Sequence, residues 1–437
     1  MIYLLIITIY IYLILAYKAN HENIAAPSFL FTASFAFSSV WTLMFADEWN
    51  FELHFNTYLV ITLGILEFII VSYLYHYFYK RIFISKLRFR LYKVNQYYIS
   101  NIPNWKLDVL IIVEIITILL TYKEIIGLTG TSNLVQAMYI FDQTNKFTDE
   151  TLRWSWFTGN IRMLVDALGL WSSVLLANQL AYRKKINIRA LAILLLSAAS
   201  ELMISNRGTG IIILLSCFIN YFGVKCKNTS LKIGTFVKIV FGVAAGLIGF
   251  EKSATLLGRE VVISTGIRYF ALYIAGGICN LDKYLQQRWE IHQAIGSQTF
   301  VHITTWIRDR LGMPKFKLDI PFQSINGYNL GNVYTTFYDY IYDGGYVGVF
   351  VFVFLMAIIC QRLFEDGLLK QQEINLPSFS NILYGYAGSS LLFAFFSNMF
   401  YQAIFKVSLV KYIICWLLIS YFIRKRIVLK KKVDVMK

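Results

Sequence analysis

Arginine side chains that could bind phosphate stand at three places in the sequence. Arg207 lies in SNRGTG just before an apolar run, Arg259 lies in LLGRE, and Arg268 lies in STGIRYFALY. A guanidinium group can form two parallel hydrogen bonds to one phosphate, and the amides at a helix start add positive partial charge. SNRGTG therefore predicts an anion site at Arg207. The alternative is that Arg207 pairs with Glu201 or reaches the lipid headgroups.

A second group of residues could transfer a proton. The basic stretch VHITTWIRDR supplies His302, Arg308 and Arg310. A general base must lie within hydrogen-bond reach of the hydroxyl that it deprotonates. The candidates are His292, His302, Asp339 and Asp343. Asp339 and Asp343 share one face if this part of the chain is helical. Asp343 directly precedes Gly344-Gly345, so a capping or turn role is the alternative.

The sequence gives no indication of a metal or cofactor site. A magnesium or manganese site needs carboxylates close together, and the polar stretches offer Asp339 and Asp343 at best, without a DxD motif. The cysteines form no CxxC pair and no cluster with histidine. They are Cys217, Cys226, Cys279, Cys360 and Cys415. We therefore expect metal-independent chemistry and no cofactor.

Aromatic and small polar side chains gather in GNVYTTFYDYIYDGG. The aromatic members near this stretch are Tyr328, Tyr334, Phe337, Tyr338 and Tyr340. Such rings suit the faces of sugars, but they are equally typical of the aromatic belt at a membrane boundary. Asn332 and Thr335 carry groups that could hydrogen-bond sugar hydroxyls.

The composition places these residues in a membrane protein. Of the 437 residues, 57% are hydrophobic and 15% are charged, and the chain contains 5 prolines. These values lie outside the range of ordinary soluble proteins. The net charge of +16 arises from short basic clusters beside apolar segments, which is a topology signal and not the aromatic-studded surface of a nucleic-acid binder. We expect no nucleic-acid partner.

Apolar windows of spanning length predict an all-α polytopic protein with about eleven transmembrane helices. The windows fall near 1–17, 24–45, 56–79, 107–122, 160–182, 187–204, 210–224, 233–250, 344–361, 379–403 and 405–423. The basic clusters at 80–93, 182–185, 225–227 and 424–432 should face the cytoplasm. This assignment places the N-terminus outside and the C-terminus inside.

Two long segments then lie on the outer face, near 123–159 and 251–343. We predict one membrane domain over residues 1–437, in which 251–343 is the extracytoplasmic catalytic and substrate-binding segment, partly re-entrant. Glu67 and Glu114 fall inside predicted spans, where an ionisable residue indicates either an ion site or a hydrogen bond between helices. Asp166 follows Arg162 by four residues and could pair with it.

Three stretches resemble oligosaccharide repeat-unit polymerases of the Wzy type, which build O-antigen or capsular polysaccharide. They are SNRGTG (205–210), IRYFALYIAGGICNLDKYL (267–285) and GNVYTTFYDYIYDGGYVGVFVFVF (331–354). The resemblance implies a glycosyltransferase in the bacterial cytoplasmic membrane, with its active site facing outside. Donor and acceptor would both be undecaprenyl-diphosphate-linked oligosaccharides, and no nucleotide-sugar motif is expected. A flippase and a chain-length regulator would be its functional partners.

The chemistry implied by the resemblance gives each candidate residue a role. Arginines stabilise the charge that develops on the leaving diphosphate. The expected catalytic residues are Arg207, Arg268, His302 and Asp343. The expected substrate-binding residues are Arg259, Asn332, Tyr334, Thr335, Asp339 and Arg308.

Two other functions remain open from the sequence. A ligase that joins finished glycan to its acceptor would share the arginine-rich outer loop, and His302 would suit its catalytic histidine. A lipid-linked oligosaccharide flippase, which is not an enzyme, should have twelve or fourteen spans in two similar halves. The odd number of predicted spans and the long 251–343 segment count against a flippase.

Overall fold

The computed structural model describes residues 1–79, 102–147, 152–204, 206–226, 267–287, 296–316, 318–369 and 376–423. These residues are mostly helical, with one two-stranded antiparallel hairpin. In chain order, the elements are α1 (Ile2–Ala19), α2 (Pro27–Trp49), α3 (Phe55–Tyr79), α4 (Asn104–Thr129), α5 (Leu134–Phe147), α6 (Trp156–Arg183), α7 (Ile188–Leu202), α8 (Arg207–Lys225), α9 (Ile267–Ile274), α10 (Gly276–Gln286), α11 (Val301–Arg310), β1 (Gln323–Ile325), β2 (Tyr328–Gly331), α12 (Thr336–Phe364), a π-helix (Glu365–Leu369), α13 (Phe379–Leu391), α14 (Met399–Ile404) and α15 (Val407–Ile423).

Within the described residues, 6 helices are long and apolar enough to cross a membrane. They are α1, α2, α3, α6, α8 and α12 with its π-helical extension. This confirms the prediction of an all-α membrane protein, whereas the total of about eleven spans and their direction stay predictions. The predicted window 233–250 lies outside the described residues.

The window 379–403 is predicted as one span, but the structure breaks it into two helices. Helix α13 ends at Leu391 and α14 begins only at Met399. The break leaves backbone groups without helical hydrogen bonds. One of them, the Ala394 carbonyl, accepts from the Thr336 amide at the start of α12 at 2.8 Å. Non-helical backbone at membrane depth is stable only where protein or a cavity surrounds it.

The chain divides into two compact units. Unit 1 comprises Met1–Phe89, Thr265–Glu365 and Ala387–Leu409. Its core is aromatic: Phe31 stacks on Phe68 at 4.6 Å, and Phe35 stacks on Phe337 at 5.2 Å. Gly64 makes room for this packing, since a Cβ atom there would lie 2.5 Å from the ring of Phe337. The core thus locks α3 against the start of α12.

Unit 2 comprises Arg90–Ser264, Asp366–Tyr386 and Val410–Lys437. Its central helix α6 packs on α7 and α8, and α4 packs on α7. The absence of a side chain at Gly169 permits this contact, because a Cβ atom there would lie 2.6 Å from the Cβ of Ser197. The indole of Trp416 on α15 donates to the Ala167 carbonyl at 2.9 Å. Close helix contacts and polar links therefore hold unit 2 together.

Helix α12 is interrupted at Gly345, where φ is 61° and ψ is −152°. A side chain disfavours this conformation by about 1–3 kcal/mol. We expect Gly345→Ala to lower the thermal unfolding temperature of the purified protein, since it would strain the kink. Gly344→Ala is the matched control, because a Cβ atom at Gly344 would meet nothing within 4 Å. Equal unfolding temperatures for the two variants would contradict this account.

Candidate functional site

One end of unit 1 holds Arg268 and leads into the segment that carries Asn332, Tyr334 and Thr335, and it is called the hairpin end. It consists of residues 46–54, α9, α10 and the β1–β2 hairpin. Asn326, at the hairpin turn, donates to the backbone carbonyls of Trp49 and Asn50 at 3.0 and 2.8 Å. Lys283 of α10 donates to the Ser324 carbonyl at 2.5 Å. Hydrogen bonds thus fix the hairpin to the end of α2 and to α10.

Arg268 lies in the first turn of α9 at the hairpin end. Its Nε atom lies 3.2 Å from Oε1 of Glu48, and its side chain is 65% exposed. An exposed ion pair of this kind contributes little stability, typically about 0–1 kcal/mol. A phosphate can therefore compete with Glu48 for the guanidinium at low energetic cost.

A histidine and an aspartate that the sequence analysis did not single out also meet at the hairpin end. Nδ1 of His54 lies 2.9 Å from Oδ2 of Asp282, and the His54 amide donates to Oδ1 at 2.9 Å. Gln286 donates its amide hydrogen to Oδ2 at 2.6 Å. The two residues lie 228 positions apart in the chain, and only the fold brings them together.

The chain between β2 and α12 carries the predicted sugar-binding residues. Asn332 is partly exposed, whereas Tyr334 and Thr335 are buried. Asn280 of α10 secures this segment by donating to the Val333 carbonyl at 2.8 Å. Among the described residues, the buried hydroxyl of Thr335 and Oδ1 of Asn280 have no hydrogen-bond partner. In this conformation, Asn332 is the member of the predicted set that a sugar can reach.

Tyrosines 334, 338 and 342 form a ladder along the start of α12. The rings of Tyr334 and Tyr338 stack at 4.1 Å. Tyr338 donates to the Asp319 carbonyl at 2.7 Å, and Tyr342 donates to Oδ2 of Asp319 at 3.0 Å. Burial, followed by the nearby Asp319 charge, raises the pKa of Tyr334 to about 12. These tyrosines therefore hold residues 319–321 in place. This role differs from both sequence interpretations of the aromatic residues, which were sugar stacking and an aromatic belt.

The two aspartates predicted to share a helical face both lie in the first part of α12, and both are buried. Asp343 accepts hydrogen bonds from the Ser297 hydroxyl at 3.1 Å, the Gln298 amide at 3.1 Å and the Thr299 amide at 2.7 Å. Three donors bind the carboxylate and occupy three of its about four lone-pair sites, so little capacity remains for a general base. This geometry fits the alternative that Asp343 holds a turn of the backbone. A role of Asp343 in the reaction stays a prediction. Oδ2 of Asp339 lies 3.5 Å from Nε2 of Gln402.

We expect Asp343→Asn to destabilise the protein. An amide would turn an NH2 group toward one of the three donors, and leaving a buried donor unpaired costs about 1–3 kcal/mol. The measurement is the thermal unfolding temperature, with Asp339→Asn as the matched variant and the smaller expected change. An Asp343→Asn protein as stable as the wild type but inactive would instead assign Asp343 to the reaction.

His302 and Arg308 lie on α11 in unit 1 and differ in their surroundings. The His302 side chain is exposed, yet desolvation by the nearby protein and then the Lys406 charge lower its pKa. Arg308 donates through Nε to the Pro314 carbonyl at 2.5 Å, and its guanidinium lies 4.3 Å from the ring centroid of Phe316. Arg308 thus holds the loop that follows α11, while the surroundings of His302 disfavour its charged form.

Asn206 ends the link between α7 and α8 in unit 2, and Arg207–Gly210 form the first turn of α8. Arg207 is the first residue of α8 and is 6% exposed. Asn206 caps the helix by accepting from the Thr209 amide at 3.4 Å, and it donates to Glu201 at 2.6 Å. Gly210 serves helix packing, because a Cβ atom there would lie 3.2 Å from the Ala198 carbonyl.

Buried charges surround this link. Arg162 pairs with Glu201 at 2.7 Å and donates to Thr121 at 3.1 Å. The suggested Arg162–Asp166 pair is not the main contact of either residue, since Asp166 accepts from the Tyr412 hydroxyl at 3.0 Å. Glu201 thus accepts from Arg162 and from Asn206, and its pairing with Arg207 stays a prediction.

Glu114, one of the two carboxylates in predicted spans, makes a contact between helices. It accepts a hydrogen bond from Ser197 at 2.6 Å. This contact links α4 to α7 and matches the interhelical alternative. For Glu67 on α3, the buried Oε1 atom has no partner among the described residues.

The fold distributes the predicted site residues between the two units. Arg207 belongs to unit 2. Unit 1 holds Arg268, His302, Arg308, Asn332, Tyr334, Thr335, Asp339 and Asp343. Arg259 and His292 lie outside the described residues. Among the residues that the structure describes, no group of three or more His, Cys, Asp or Glu side chains could hold a metal ion.

Comparison with known proteins adds no family assignment. No model of a protein family matches the chain, and no curated protein or solved structure matches it significantly. The function must therefore be argued from the residues and their geometry.

Proposed function

We propose that the protein polymerises undecaprenyl-diphosphate-linked oligosaccharide repeat units into O-antigen or capsular polysaccharide. The reaction takes place at the outer face of the bacterial cytoplasmic membrane. The growing glycan moves from its lipid carrier onto the next lipid-linked unit, and lipid diphosphate is released. A flippase supplies the units, and a chain-length regulator sets the polymer size.

The position of Arg207 carries the proposal. Its guanidinium is buried at the first residue of α8, an apolar helix of 19 residues and spanning length. The first amides of α8 add the positive end of the helix dipole to the same place. Two sources of positive charge at one end of a membrane helix favour an anion that arrives within the bilayer, and a lipid diphosphate is such an anion.

The proposed reaction needs stabilisation of negative charge and a proton acceptor. A hydroxyl oxygen of the acceptor sugar attacks the anomeric carbon of the donor glycan and forms the new glycosidic bond. The bond from that carbon to the diphosphate oxygen breaks, and its electron pair leaves with the lipid diphosphate. Positioned arginines stabilise the charge that develops on the diphosphate. We assign this role to Arg207, and Arg268 of unit 1 stays a predicted catalytic residue.

The hairpin end of unit 1 supports a sugar-binding role. Arg268 is exposed there beside the Glu48 carboxylate, and the partly exposed Asn332 follows the hairpin. An amide side chain both donates and accepts hydrogen bonds, as sugar hydroxyls require. Of Asn332, Tyr334 and Thr335, Asn332 thus has the best access to a glycan.

The surface glycan of cells that lack this gene alone tests the proposal. Gel electrophoresis should show lipid acceptors that carry a single repeat unit, because flipping and ligation continue without polymerisation. Polymer that accumulates on the carrier outside the membrane, with no surface glycan, would identify a ligase instead. Single units trapped on the inner face would identify a flippase. Either of these two results would reject the polymerase.

A further inference from the structure

The His54–Asp282 pair has the geometry of an oriented imidazole. Asp282 is almost completely buried on α10, and its two oxygens accept from the His54 amide and from Gln286. Nδ1 of His54 faces Oδ2 of the same carboxylate at 2.9 Å, while the His54 side chain is 53% exposed. One edge of the ring is thus held by a buried carboxylate, and the ring as a whole remains accessible.

The contacts of the carboxylate select one tautomer of His54. If Nδ1 carries the proton, it donates to Oδ2 of Asp282, and Nε2 keeps its lone pair. If Nδ1 were unprotonated, its lone pair would face the carboxylate lone pairs at 2.9 Å, which is repulsive. The Gln286 amide lies 2.7 Å from Nδ1 and 2.6 Å from Oδ2, and donation to the charged oxygen is the stronger bond. Nε2 is therefore the atom available to accept a proton.

The pair lies at the same end of unit 1 as the exposed arginine. Glu48, the partner of Arg268, precedes His54 by six residues across the end of α2. The hairpin is fastened to the same turn through Asn326. An oriented base, a guanidinium group and the segment that carries Asn332 thus belong to one set of connected elements.

A purely structural role of His54 does not explain why this position carries an imidazole ring. The loop before α3 is already attached to α10 by the hydrogen bond from the His54 amide to Asp282, which any residue except proline can make. That bond requires no imidazole. The side chain adds a second ring nitrogen, Nε2, which the backbone bond does not supply.

We propose that His54, oriented by Asp282, is the general base that deprotonates the acceptor hydroxyl. This inference rests on the proposed polymerase function. As the hydroxyl oxygen bonds to the anomeric carbon of the donor, its proton moves to Nε2 of His54, and the electron pair of the cleaved bond leaves with the lipid diphosphate. The imidazolium that forms is stabilised by the Asp282 carboxylate. It then releases the proton to water and restores the starting state. Asp282 acts as a positioning residue.

His54→Gln tests the base, because glutamine can still donate to Asp282 but cannot accept and release a proton. The assay uses the purified full-length protein with synthetic lipid-linked repeat units. Since general base catalysis contributes about 10²–10⁴-fold, we expect kcat to fall roughly 100-fold with little change in KM for the acceptor. His21→Gln is the matched control and should keep wild-type kcat. His21 precedes α2 and His54 follows it, so the helix separates them by roughly 35 Å.

The outcomes separate this inference from the proposed function. Wild-type protein that forms no polymer would reject the polymerase and the base together. Active wild-type protein with a His54→Gln variant within twofold of it would reject the base alone. A His54→Gln variant that fails to fold is replaced by Asp282→Glu, which keeps the carboxylate and should retain part of kcat. Wild-type kcat in a folded Asp282→Asn protein would contradict the positioning role.

A spectroscopic measurement tests the orientation of the ring independently of activity. Nitrogen NMR of protein labelled at histidine should show His54 protonated on Nδ1 and unprotonated on Nε2. Asp282→Asn should move the proton toward Nε2, because the amide can donate to Nδ1. A wild-type ring protonated on Nε2 would overturn the assignment.

Discussion

Arg207→Lys should reduce polymerisation about 100- to 1,000-fold while the protein still folds and inserts. This is the range lost when a single positioned donor to a developing negative charge is removed. Lysine keeps the positive charge at the start of α8 but cannot form the paired hydrogen bonds of a guanidinium. The measurement is the length distribution of surface glycan in cells that carry only this variant, together with size-exclusion chromatography of the purified protein.

Arg189→Lys provides the matched control in the same unit. Arg189 pairs with Asp108 at 2.6 Å, and the two side chains are 41% and 48% exposed. Exchange of an arginine in such a pair should leave polymer length unchanged. Normal long chains from the Arg207→Lys variant would refute the role of Arg207 in binding diphosphate.

Arg162→Ala should destabilise the protein by about 3–5 kcal/mol, the range found when one partner of a buried ion pair is removed. Arg162 and Glu201 lie 2.7 Å apart, and both are almost fully buried. Truncation of the arginine leaves the Glu201 carboxylate buried without its main cation. We expect a large drop in the thermal unfolding temperature in detergent, or loss of the protein from the membrane.

The double variant Arg162→Met with Glu201→Met separates charge burial from packing. Removal of both charges should recover much of the lost stability, because apolar replacements of a buried pair are often neutral or stabilising. Arg189→Ala, at the exposed pair, should change stability by less than about 1 kcal/mol. An Arg162→Ala protein that unfolds at the wild-type temperature would contradict the assigned role of the pair.

The helices were largely predictable because apolar windows of about 20 residues carry a strong signal. The window 379–403 shows the limit of that signal. Its residues stay apolar through LLFAFF, yet the helix ends at Leu391. The break is accommodated by the Thr336 amide, which comes from a distant part of the sequence. Apolarity alone therefore does not reveal where a membrane helix is interrupted.

Local signals in the sequence also predicted part of the candidate site. Asn206 and Arg207 form the predicted helix start after a tight link. The contacts of Asp343 with residues 297–299 and of His54 with Asp282 were not predictable, because they join residues 44 or more positions apart. Asp282 stands inside a stretch that carries the family resemblance, but nothing in the local sequence identifies His54 as its partner.

The polymerase activity itself is tested most directly with purified protein. The protein is placed in lipid nanodiscs with a single kind of lipid-linked repeat unit, and the products are separated by gel electrophoresis. We predict a ladder of glycans that differ by one repeat unit, with one lipid diphosphate released for each added unit. Repeat units that remain single, without release of lipid diphosphate, would contradict the proposed function.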